Sequence, residues 1–131
     1  MRRLGRAILP QSKVETVTFV GLALTAGLCE EFLYRGFTMA VFARAGLWPP
    51  FVLMLSSMLF AFAHLYQGRG GLIGTMILGL FFGTLRLWTG SIVPPIFCHS
   101  AVDLVAAVAG PRFLLCRNDE NLKVTALQSV T

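Results

Sequence analysis

Residues 14–35 read VETVTFVGLALTAGLCEEFLYR, an apolar run that ends in two acids and an arginine one helical turn further on. A charged group at bilayer depth costs at least about 2.5 kcal/mol on insertion scales, so such groups tend to face one another and to carry function. The same conflict recurs twice downstream. His64 stands in the stretch 45–68, and His99 in the stretch 87–102 with Asp103 directly after it; neither stretch holds a formally charged side chain. The chain therefore predicts one polar cluster assembled inside a membrane from three separate segments.

Composition agrees. Of 131 residues 56% are hydrophobic and 13% charged, with mean hydropathy +0.73, which fits a membrane protein and not an ordinary soluble domain. A soluble helical bundle would need polar outer faces that these runs lack. The net charge of +5 is spread over segment ends and is not interleaved with aromatics on one face, so nucleic acid is not an expected partner. Cys29, Cys98 and Cys116 make an odd set without CxxC spacing, which argues against a disulfide framework.

The N-terminus imitates a secretory signal, with Arg2, Arg3 and Arg6 ahead of the apolar run, but Leu28 stands where a small residue should precede a processed Cys29. A retained first helix is the better reading. It begins near Ser12 and runs to about Arg44, long enough to expect a kink or an interfacial end, before Gly46 and Pro49-Pro50 stop it. The second helix spans about Pro50 to Tyr66, the third Leu72 to Trp88 and the fourth Pro94 to Ala109. Gly74, Gly79 and Gly83 in the third permit close helix approach.

The expected fold is thus an all-α, polytopic transmembrane bundle of about four helices: a basic segment 1–13, a membrane core 14–110 and a polar, partly disordered tail 111–131. Arg2, Arg3, Arg6, Lys13, Arg69, Arg112, Arg117 and Lys123 fall on one side, against Arg44 and Arg86 opposite. The positive-inside rule then predicts cytoplasmic termini. Trp48 and Trp88 fall at helix ends on the opposite side, as interfacial aromatics do.

Glu31 and Arg35, four apart with the acid first, form a favourable helical ion pair that lowers the cost of burying either. Glu30 is turned about 100° from that face, which leaves it to take or give a proton. His64 lies four residues after Phe60. Taken alone, a histidine on an apolar face is more often structural than catalytic. His99 and Asp103 are again four apart, so the carboxylate could orient the imidazole or accept its proton. Two water-activating arrangements remain open. In one, Glu30 with His64 deprotonates a water while His99 and Asp103 stabilise an oxyanion. In the other, His64, His99 and Glu30 hold a divalent ion, zinc by donor type, although H-E-x-x-H is absent. A proton or cation relay would use the same residue types. One geometric difficulty stands: His64 lies about 21 Å along its helix and His99 less than about 8 Å along its own, from the same side. A tilt, or a last helix beginning near Ser91, would have to close that gap.

The motifs Glu30-Glu31-x-x-x-Arg35, Phe60-x-x-x-His64 and His99-x-x-x-Asp103, with Tyr34-Arg35-Gly36 and the turn Thr89-Gly90-Ser91-Ile92, resemble those of the CPBP family of CAAX prenyl proteases and bacteriocin-processing (Abi) proteins. The resemblance covers about Val14 to Gly110. It implies an intramembrane endopeptidase acting on membrane-associated or prenylated protein substrates, in contact with membrane lipid. Glu30 would be the base acting with His64, His99 with Asp103 would hold the oxyanion, and Glu31, Arg35 and Phe60 would support them. The family carries a metalloprotease label, while a metal-independent glutamate mechanism is also held for it. Asp103 departs from the alternative Asn, because an ionised carboxylate beside an oxyanion would repel it. The chain is also short for the family, whose members usually have further helices before the first motif. A bacteriocin self-immunity factor or small relay without turnover is the non-enzymatic alternative.

Overall fold

The computed structural model describes residues 13–106, all of whose regular structure is helical. The basic segment, the Ser12 cap, the end of the last helix near Ala109 and the tail 111–131 fall outside the described residues. Helix α1 covers Lys13–Glu31 and passes through a π-helical segment, Phe32–Thr38, into α2, Met39–Arg44. Helix α3 covers Pro49–Ala63, α4 Gly68–Thr89 and α5 Val93–Ala106. This is an all-α membrane helical bundle.

Each boundary has a local cause. Gly46 takes φ +82°, a left-handed value that glycine adopts without a Cβ clash, and Pro49 then opens α3 from its first turn, where a missing N–H costs nothing. At the other end α3 stops at Ala63, earlier than the expected Tyr66, because the chain tightens into a 3-10 turn over Leu65–Gln67. The Gly68-Arg69-Gly70-Gly71 stretch, expected to be a loop, is the first turn of α4. Gly68 alone makes the bend, at φ +76°, and the following residues are helical. Gly90 closes α4 in the left-handed conformation, at φ +68°.

Among the described residues two helices are long and apolar enough to cross a bilayer, the continuous Val14–Arg44 and Leu65–Thr89, with 31 and 25 residues. At ~1.5 Å per residue the first measures about 46 Å, well over the ~30 Å hydrocarbon thickness. This long helix is interrupted by the π segment, which the sequence reading did not name. Large apolar side chains such as Phe32, Phe37, Phe51 and Phe97 are exposed, each by more than half of its surface, as in a bundle that faces lipid. Two compact units divide the chain. One is Leu24–Ala101; the other takes its described residues from 13–23 and 102–106.

Within Leu24–Ala101, α3 and α4 pack as an antiparallel hairpin through small residues. A Cβ on Gly79 would meet Ser57 Cβ at 3.1 Å, and one on Gly83 would collide with Leu53 Cδ1. Gly74 has nothing within 4 Å of such a position, so only two of the three glycines mark a close helix contact. On α1, Gly27 presses against α5, where an added Cβ would collide with Ser100 Oγ and stand 3.2 Å from the Ile96 carbonyl. These contacts set how near α5 can bring His99 to the acids of α1.

Candidate active site

The π segment begins directly after Glu31. The Tyr34 carbonyl accepts the Met39 backbone N–H five residues on, as in a π-helix, and side chains add further bonds to this segment. Thr38 Oγ1 donates to Leu33 O at 2.8 Å and Ser56 Oγ, from α3, donates to Tyr34 O at 2.9 Å. The π-helical turn is thereby tied to α3.

Arg35 is the hub. Its Nη1 donates to Glu31 Oε1 at 2.6 Å and its Nη2 to the Gly79 carbonyl at 3.0 Å. The guanidinium carbon lies 4.6 Å from the Phe60 ring centroid and 5.4 Å from that of Phe82. Both members of the Glu31–Arg35 pair have no exposed side-chain surface, so the expected buried pair is present. Removing one partner of such a pair leaves an uncompensated buried charge, at a cost of about 3–5 kcal/mol.

Three ionisable groups converge beside this hub. Glu30 Oε2 lies 3.8 Å from His64 Nε2 and 4.0 Å from His99 Nε2. These separations exceed a direct hydrogen bond and are short enough for a water to bridge Glu30 to either ring. Glu30 Oε2 is itself covered and has no hydrogen-bond partner among the described residues, although the Glu30 side chain keeps 32% of its surface exposed.

Each imidazole is held by its other nitrogen. His64 Nδ1 donates to the Phe60 carbonyl at 2.8 Å, which in the neutral ring leaves the Nε2 lone pair facing Glu30. His99 Nδ1 bonds Glu31 Oε1 at 2.8 Å, and Phe82 stacks on the His99 ring with centroids 5.1 Å apart. Phe60 contacts both rings, at 4.7 Å from His64 and 5.7 Å from His99.

Helix α5 starts at Val93, two residues after Ser91, and the His64 ring turns back toward the preceding turn, with Nδ1 on the Phe60 carbonyl. Glu30 and Glu31 were expected on different faces. They do diverge, but around one ring: Glu31 takes His99 Nδ1 and Glu30 faces Nε2.

Sequence reasoning missed three participants. His99 Nδ1 bonds Glu31, 68 residues away in sequence, a partner that the four-residue spacing to Asp103 did not suggest. Phe82 and the Gly79 carbonyl carried no motif, and the only sequence signal for either was the glycine spacing of α4.

The donor set was tested against zinc. Tetrahedral coordination at about 2.0–2.1 Å places ligand atoms about 3.4 Å apart. The Glu30 to histidine separations of 3.8 and 4.0 Å are wider, and no group of three His, Cys, Asp or Glu among the described residues meets metal-site spacing. As placed, these residues do not fit a zinc cage.

Residues 12–105 match the family described as Type II CAAX prenyl endopeptidase Rce1-like. The match spans well over half of the chain, which therefore belongs to this family of CAAX-type membrane endopeptidases. Comparison with curated proteins and with solved structures found no match.

Proposed function

We propose that the chain is a multi-pass intramembrane endopeptidase that hydrolyses a peptide bond of a membrane-associated or prenylated protein by a metal-independent glutamate mechanism. The observation that carries this reading is the convergence of Glu30 Oε2 with the Nε2 atoms of His64 and His99, at 3.8 and 4.0 Å.

A water bridging Glu30 and His64 has one proton directed at Glu30 and a second at His64 Nε2. Glu30 removes the first as the oxygen attacks the scissile carbonyl, forming the new C–O bond while the carbonyl π electrons move onto its oxygen. Collapse of the tetrahedral intermediate breaks the C–N bond, and the proton held by Glu30 passes to the departing amine. His99 stabilises the oxyanion through Nε2. That role needs a proton on Nε2 while Nδ1 remains bonded to Glu31, so the proton between Nδ1 and Glu31 and the one on Nε2 are both part of the reactive state. Glu31, Arg35, Phe60 and Phe82 position the ring and do not touch substrate.

Support for Asp103 in the oxyanion role rests on the motif alone. The non-enzymatic relay uses the same groups, and a reconstituted cleavage assay separates the two. Purified protein in liposomes should cleave a farnesylated CAAX-type peptide, and Glu30→Gln should abolish cleavage. Absence of cleavage of any lipidated peptide by folded wild-type protein would favour the relay.

A further inference from the structure

A cavity of about 170 Å³ is lined by Arg35, Met39, Ala43, Leu47, Arg86 and Leu87 among others. Its walls include neither an acid nor any of Glu30, His64 and His99. Two donors at this cavity are unanswered. Arg35 and Arg86 both line it, and the Nε of each is buried without a hydrogen-bond partner among the described residues. Arg35 has its charge matched by Glu31, whereas Arg86 makes no ion pair among the described residues. A buried N–H left unmade is costly, more so on a charged group, so two of them at one apolar cavity point to an anionic acceptor.

Position decides which anion. Leu47 and Pro49 on one wall flank Trp48, and Leu87 on another precedes Trp88; these two tryptophans are 66% and 84% exposed. Exposed tryptophans at helix ends mark headgroup level, where phosphates are concentrated. The surrounding helix faces present apolar side chains to lipid, which suits acyl chains outside the cavity.

We propose that this cavity binds the phosphate of an anionic membrane phospholipid, with Arg86 as the principal charge partner. Basic pockets between membrane helices bind such headgroups by the same chemistry. The site is independent of the peptidase reading, because no atom of the water-activating cluster lines it.

Native mass spectrometry of the full chain in a neutral detergent, titrated with dioleoyl-phosphatidylglycerol or dioleoyl-phosphatidylcholine, tests the proposal. One saturable phosphatidylglycerol should bind in preference to phosphatidylcholine. Arg86→Gln should weaken it at least about fivefold and Arg86→Lys less, as expected for loss of one cation at a headgroup. Ala43→Phe, which fills the cavity and leaves Arg86 in place, should weaken binding in the same way if Arg86→Gln does not fold. Equal binding of the two lipids, or binding insensitive to both substitutions, overturns the proposal. Competition by inorganic phosphate alone would instead define a site for free anions. Competition by a peptide with a free terminal carboxylate, and not by its amide, would define a peptide subsite; either result overturns the lipid assignment.

Discussion

One oxygen of Glu31 joins two helices that the sequence keeps 68 residues apart: Oε1 accepts from Arg35 Nη1 at 2.6 Å and bonds His99 Nδ1 at 2.8 Å. The acid beside the proposed base is thus tied on both sides, and the base itself is not. This asymmetry separates the two glutamates experimentally.

Glu30→Gln should lower peptide cleavage by about 10²–10⁴-fold, the usual contribution of a positioned base, with an unchanged melting temperature. Glu30 Oε2 has no hydrogen bond to lose among the described residues. Glu31→Gln should reduce both activity and thermal stability, because Arg35 then keeps a buried charge without its counter-ion, at about 3–5 kcal/mol. A stable, fully active Glu31→Gln protein would contradict the hub described for Arg35.

Asp103→Asn should retain cleavage within about tenfold of wild type, since the His99 Nδ1 position is occupied by Glu31. Initial rates on one lipidated peptide are the measurement. A loss as deep as that of Glu30→Gln would show that the charge of Asp103 is required.

Gly79→Ala tests how Arg35 is held. The new methyl would stand 3.1 Å from Ser57 Cβ and 3.2 Å from Ser57 Cα, so α3 and α4 must part, shifting the carbonyl that receives Arg35 Nη2. Overpacking of this kind costs about 1–3 kcal/mol. Melting temperature should fall, whereas Gly74→Ala, with open space around it, should leave it unchanged or raise it.

Chelation distinguishes the two water-activating chemistries. With nitrogen–oxygen separations of 3.8 and 4.0 Å in place of about 3.4 Å, activity should survive dialysis against 1,10-phenanthroline, and elemental analysis of active protein should find less than one zinc per chain. Loss of activity restored by added zinc would establish the metal mechanism.

Much of this protein was legible before any coordinate. Hydropathy alone determines the membrane class, because uncharged apolar stretches of this length have no comparably stable place in water. The spacing Glu31 to Arg35 determines their ion pair, since residues four apart on a helix are neighbours wherever that helix packs. Helix boundaries were readable where a proline or a left-handed glycine forces them, as at Gly46, Pro49 and Gly90, and misread at Gly70 and Gly71, where glycine is simply helical.

The tertiary structure decided what lies between helices. Sequence spacing shows only neighbours on one helix, such as Asp103 for His99, whereas Glu31 reaches that ring across a helix contact where Gly27 lies against Ser100. The stacking of Phe82, the Gly79 carbonyl on Arg35 and the cavity around Arg86 are likewise products of helix approach. Local spacing fixes which side chains share a helix face; which oxygen meets which nitrogen across the bundle depends on separations of a few tenths of an ångström set by packing, and no periodicity encodes those.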